Sequence, residues 1–149
     1  MPEKIGRQTV KLKESPVIIA SAGVVGKKEG DGPLKNEFDL IFEDGRMGED
    51  SWEKAESALQ RAAIEKAIEK SGKAKEDIDM LFAGDLLGQS IGSTFGVRGL
   101  GIPFAGLFGA CSTMALSLAM AGVFVDSNAA KTAVAATSSH FCSAERQFR

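Results

Sequence analysis

From Gly99 to Val125 the chain carries no charged residue. A run of that length must either cross a bilayer or lie inside a protein. Gly101, Pro103, Gly106 and Gly109 interrupt its first half, and Cys111, Ser112 and Thr113 sit at its middle. Lipid offers no partners for the backbone groups that such breaks set free. A buried strand, a tight turn and a buried helix accommodate the same residues, so the expectation is a soluble chain without a transmembrane segment. That helix, Met114 to Val125, has no charged face and belongs in an interior or at a subunit interface.

The rest of the chain supplies material for such an interior. Hydrophobic residues make up 44% of the 149 and charged residues 26%, the balance of an ordinary globular domain. The net charge of −2 gives no basic face on which phosphates could exchange their counterions, which argues against a nucleic-acid partner. Two cysteines are too few for a secreted disulfide scaffold and fit free thiols in a reducing compartment. Met1 to Ser15 is charged and lacks the apolar core of a signal peptide.

Reading along the chain gives alternating strands and helices. Val17-Ile18-Ile19-Ala20 is β-branched and ends at Ser21-Ala22-Gly23, which predicts a first strand buried on both faces. Lys27 to Lys35 reads as an exposed excursion, and Phe38 to Phe42 as a short strand or an apolar corner. Asp50 reads as the N-cap of the clearest helix, with Glu53 three residues on. Trp52, Ala55, Leu59, Ala62, Ala63, Ala67 and Ile68 form its apolar stripe. Glu56, Arg61, Glu65, Lys66 and Glu69 are assigned to the solvated face, and Gly72 stops the helix. Met80 to Gly84 is a second buried strand, Ser90 to Val97 a small, glycine-interrupted helix, and Phe104 to Phe108 a third strand or strand-like approach. Lys131 to Thr137 is the next strand, after the buried helix. This alternation predicts an α/β fold with a mostly parallel sheet, covering helices and a central buried helix after Cys111. The last residues, Glu145 to Arg149, bring no cap or closing element, so residues 1–149 read as one domain of a longer protein.

Chemistry concentrates where the strands run out, the usual ligand edge of an open α/β sheet. Cys111 opens the apolar helix from a Gly109-Ala110 turn. A helix N-terminus favours thiolate and can hold an anion, although a small buried cysteine packing a helix start explains the residue equally well. His140, the single histidine, can serve as a base or as a donor to an anion, or be held structurally by the backbone. Asp85 can orient His140 or bind a cation, but capping the following helix is its default role. Cys111, His140 and Cys142 lack the recurring ligand spacing of a metal site, so no metal is expected. No phosphate-binding glycine loop is present, and no cofactor is expected.

The stretches Phe82-Ala83-Gly84-Asp85-Leu86-Leu87, Gly109-Ala110-Cys111-Ser112-Thr113-Met114 and Ala136-Thr137-Ser138-Ser139-His140 resemble the thiolase-like superfamily. Val17 to Gly23, the Trp52 helix and Phe141 to Arg149 make the chain most similar to a sporulation branch of it. The resemblance covers essentially this whole chain and about the first half of a family member. It implies the N-terminal half of a thiolase-like fold, with residues 1–149 as an N-terminal domain whose C-terminal partner half is missing. It also implies a protein that binds dipicolinic acid, with or without calcium. Such a protein acts in uptake of calcium dipicolinate into the developing spore, peripheral to the inner membrane, beside other dipicolinate-transport proteins there. A homodimer is implied for the complete protein. Cys111 falls at the superfamily's acyl-accepting cysteine. The expected ligand set is Asp85, Cys111, Ser112, Ser138, Ser139 and His140. The alternative is a thiolase or ketoacyl synthase type of acyltransferase with Cys111 as nucleophile. Because the enzymes' other catalytic residues come mainly from the second half, binding is favoured over catalysis.

Overall fold

In the computed structural model, residues 2–148 are described, with side chains as far as Ala144; Met1 and Arg149 lie outside the described residues. The N-terminus forms an exposed antiparallel hairpin, β1 (Glu3–Ile5) with β2 (Thr9–Lys11). A small parallel pair follows, β3 (Val24–Gly26) with β4 (Leu40–Phe42), joined by the single-turn α1 (Lys27–Gly30). The main sheet has three parallel strands in the order β6 (Phe104–Gly106), β5 (Met80–Gly84), β7 (Ala133–Thr137). The predicted parallel pairing is therefore present, within a mixed α/β architecture.

Helix α2 (Trp52–Ser71) begins one residue later than the Asp50 cap predicts. Ser51 is the N-cap, its hydroxyl accepting from the Lys54 N–H at 3.2 Å, while Asp50 instead pairs with the Lys54 ammonium at 2.8 Å. Gly72 ends the helix at φ 70°, in the left-handed conformation glycine adopts without penalty. Ile64 and Ile68 of α2 form the core with Ile78, Leu81, Ala83 and Leu100. The short α3 (Ile91–Gly96) lies against α2, where Arg61 donates to the carbonyls of Phe95, Gly96 and Arg98 and so satisfies that helix's free C-terminal acceptors.

Two sequence expectations fail here. Val17-Ile18-Ile19-Ala20 pairs with no strand among the described residues, and Val17, Ile18 and Ile19 are 78%, 75% and 56% exposed rather than buried. β-branched residues favour an extended backbone, but a ladder needs a neighbour at hydrogen-bonding distance. A slot of about 300 Å³ separates this segment from the free edge of β7. The second failure is α4 (Thr113–Asp126), which packs on β5 and β7. Its fully buried residues are the polar Thr113, Ser117 and Asp126, while Met114, Leu116 and Leu118 are exposed. Small side chains let α4 approach the sheet closely, where Phe124 meets Phe82 edge to face with ring centroids 4.8 Å apart. Among the described residues, nothing covers the opposite, apolar face.

Three carboxylates pin these layers. Asp79 accepts from the backbone N–H groups of Lys131 and Thr132, which aligns the starts of β5 and β7 and holds its carboxyl below the usual range. Asp39 accepts from Lys70 and from the Gly23 N–H, and these two donors lower its pKa in that order. Asp126 accepts from the Glu14 N–H through Oδ1, but its buried Oδ2 has no partner among the described residues. Among the described residues, no helix is long and apolar enough to cross a membrane.

Candidate functional site

The carboxyl ends of β5, β6 and β7 meet around Gly84. Its carbonyl accepts from the Ser138 N–H at 3.2 Å and from Gln60 Nε2 at 3.0 Å. On the other side, a Cβ at Gly84 would lie 2.6 Å from Thr113 Cγ2 and overlap the Leu107 carbonyl. Only glycine lets the β6–α4 connection close onto the end of β5. The three polar stretches picked out in the sequence therefore do share one end of the sheet.

They divide between its two faces. Cys111 and Ser112 lie on the α4 side, in a 3-10 turn from Ala110 to Ser112 that leads into α4. Both are exposed, and Ala110 before them has φ 48°, uncommon for a residue with a Cβ. Ser112 Oγ donates backward to the Gly109 carbonyl at 2.7 Å, so no side chain caps α4. The Cys111 thiol is free.

Asp85, Ser138 and His140 lie on the side of α2 and α3. Asp85 is fully buried; Oδ1 accepts from the Leu87 N–H and Oδ2 from both the N–H and the hydroxyl of Ser93. That is the capping role, holding the turn after β5 and the first turn of α3. His140 is 8% exposed. Its Nδ1 accepts from the Cys142 N–H at 3.2 Å, so the hydrogen resides on Nε2, which donates to the Gly45 carbonyl at 2.7 Å. Trp52 lies against its ring, with the Arg46 guanidinium stacked 4.7 Å from the centroid of Trp52. Both imidazole nitrogens are thus committed. Ser138 Oγ donates to Glu56, whereas Ser139 is exposed and its hydroxyl has no partner among the described residues. No hydrogen bond joins Cys111 or Ser112 to Asp85, Ser138, Ser139 or His140.

The residues that hold this corner together are ones the sequence reading missed. Glu56, placed on the solvated face of α2 by its charge, is 1% exposed. Its carboxylate accepts from Ser138 Oγ, from the His140 N–H and from Ser143 Oγ in α5 (Phe141–Phe148). Gln60 Nε2, one turn later, shares its two hydrogens among three acceptors, Gly84 O, Ser93 Oγ and Ser138 Oγ, while its buried Oε1 has no partner among the described residues. A signal existed: the buried positions 56, 60, 64 and 68 recur every four residues, so the two polar ones continue the stripe of Ile64 and Ile68.

Cavities do not single out this corner. Besides the slot beside β7, a groove of about 490 Å³ runs between α2 and α3 past Ser57, Arg61, Ile91 and Phe95. None of the six candidate residues lines either space. Cys111 stands on open surface, with an uncapped helix start behind it.

Comparison with known proteins gives this arrangement a context. The family model for stage V sporulation protein AD (SpoVAD) matches residues 6–149. Stage V sporulation protein AD of Bacillus subtilis (strain 168) is 46% identical over 145 residues, which cover 97% of this chain and 43% of that protein. The chain thus spans less than half the length of this curated relative. With the strand-end turns at Gly84, Cys111 and Ser138 falling inside the matched residues, the chain belongs to the stage V sporulation protein AD family.

Proposed function

We propose that this chain forms the N-terminal thiolase-like half of a sporulation protein that binds dipicolinic acid during uptake of calcium dipicolinate into the developing spore. The observation that carries the reading is the open start of α4: Cys111 is exposed, no side chain caps the helix, and the turn lies at the same sheet end as Ser138-Ser139-His140. A small planar dianion suits such a place, because helix N–H groups and hydroxyls donate to carboxylates and the helix dipole favours negative charge. In this reading Cys111, Ser112 and Ser139 meet the ligand. Asp85, Ser138 and His140 shape the wall from behind, which keeps the Asp85 carboxylate out of contact with a dianion that it would repel. The second thiolase-like half supplies the far wall, over the exposed Met114, Leu116 and Leu118. The complete protein then works as a homodimer at the periphery of the spore inner membrane, beside other dipicolinate-transport proteins.

The test is calorimetric titration of dipicolinate into the complete protein and into Cys111→Ala and His140→Ala variants. Weakened binding in both is expected, and unchanged affinity in both would overturn the reading. Incubation with acyl-CoA followed by mass spectrometry covers the alternative. A thioester on Cys111 that turns over would make the protein an acyltransferase instead.

A further inference from the structure

We propose that Glu56 is a positioning residue of the strand-end site, fixing the turn Ser138-Ser139-His140 so that Ser139 is the hydroxyl presented to a small anion. The proposal rests on the anion-binding reading above, and it concerns a residue on α2 outside the six candidates.

Glu56 is fully buried, and among the described residues no lysine, arginine or histidine ring lies within ion-pair distance of it. Burying an unpaired carboxylate costs several kcal/mol unless its oxygens are well supplied with donors. Here Ser138 Oγ at 2.5 Å, the His140 N–H at 2.5 Å and Ser143 Oγ at 2.7 Å supply them. All three come from one segment, the turn Ser138 to His140 and the start of α5, 82 to 87 positions further along the chain, so the carboxylate clamps that turn to the helix that follows it. Space around it is fixed as well. A Cβ at Gly92 would lie 2.7 Å from Glu56 Cγ, so only glycine lets α3 close over the side chain.

The clamp has a chemical consequence. The Ser138 hydroxyl hydrogen goes to Glu56 while its oxygen accepts from Gln60, which leaves no hydrogen to donate to an anion. The His140 ring is set by the same turn, with Cys142 N–H on one nitrogen and Gly45 O on the other. Ser139, between these two held residues, faces outward with its hydroxyl free. Without the carboxylate, Ser138 Oγ and the His140 N–H lose their acceptor, and the turn can rotate to offer a different hydroxyl.

The experiment uses the complete protein with dipicolinate as the probe, in wild type, Glu56→Gln, Glu56→Asp and Ser139→Ala. Calorimetry gives Kd and the number of competent sites, and the imidazole ¹⁵N spectrum of His140, assigned by its loss in His140→Gln, gives the tautomer. Expected is a rise in Kd of about tenfold in Glu56→Gln and in Ser139→Ala, the scale of one misplaced hydrogen bond. Site number should stay constant, and Glu56→Asp should recover part of the affinity. His140 should hold one Nε2–H tautomer in wild type and a mixture in Glu56→Gln. An unchanged Kd and tautomer in Glu56→Gln would overturn the proposal, as would fewer competent sites at unchanged Kd, the mark of a purely structural residue. If wild type binds no dipicolinate while the Glu56→Gln tautomer changes, the ligand reading fails and the clamp stands. If neither is seen, both fail.

Discussion

Ser93 gives both its N–H and its hydroxyl to Asp85 Oδ2, so one buried carboxylate oxygen joins the end of β5 to the first turn of α3. Removing it should act on folding. Asp85→Ala leaves the N–H groups of Leu87 and Ser93 buried without acceptors, a loss of about 2–4 kcal/mol. Asp85→Asn keeps one acceptor and should lose less. Urea unfolding of the complete protein checks the order, and equal stability of all three would refute the capping role.

Glycines 72 and 84 should answer the same substitution for different reasons. At Gly72 nothing stands within 4 Å of an added Cβ, so Gly72→Ala pays only for its positive φ, about 1 kcal/mol. At Gly84 the methyl group meets Thr113 Cγ2 and the Leu107 carbonyl, and the carbonyl cannot retreat without moving backbone. A loss of about 3 kcal/mol or more is expected there, since backbone must shift to make room. Thermal melts of the two variants separate the mechanisms; similar losses would argue against the close approach at Gly84.

Asp126 offers a stabilising change. It ends α4, where the helix dipole is negative, with one buried oxygen unpartnered. Asp126→Asn keeps an acceptor for the Glu14 N–H and removes the charge, so a gain of about 1 kcal/mol is expected. An unfolding midpoint at or below wild type would count against it.

Acid should loosen the link between β5 and β7. The N–H groups of Thr132 and Lys131 lower the Asp79 pKa in the folded chain from its ordinary 3.8. A depressed folded value means that the contribution is complete above the unfolded pKa and disappears as pH falls through the folded one. Wild type should therefore exceed Asp79→Asn in stability at pH 7, with the gap closing below about pH 4. A gap that is constant from pH 7 to pH 3 would exclude this linkage.

Much of the fold is legible in local pattern. The stripe ending at Gly72 and the apolar run Met80 to Gly84 need only residues near in sequence, and the alternation of strands with helices implies the parallel pairing of the later strands. Asp85 also follows its default role. What escapes is set by distant partners. Val17-Ile18-Ile19 has the composition of a buried strand but no neighbour to pair with, and α4 buries Thr113 and Ser117 while exposing Met114. Glu56 looks solvated by charge, and only a turn more than 80 residues away makes it an interior group. Ser138 and His140 are polar groups at a strand end, yet their hydrogen bonds turn inward, which sequence spacing does not reveal.

The order of the sheet carries a consequence for synthesis. The central strand β5 pairs with β7, and Met80 meets Ala133 only after the intervening residues have been made. While the ribosome is still extending the chain, Leu81 and Phe82 lack half their cover, and the Glu56 carboxylate waits for its donors until Ser138 to Ser143 have emerged. A nascent chain in that interval exposes an unpaired edge of the kind that chaperones shield.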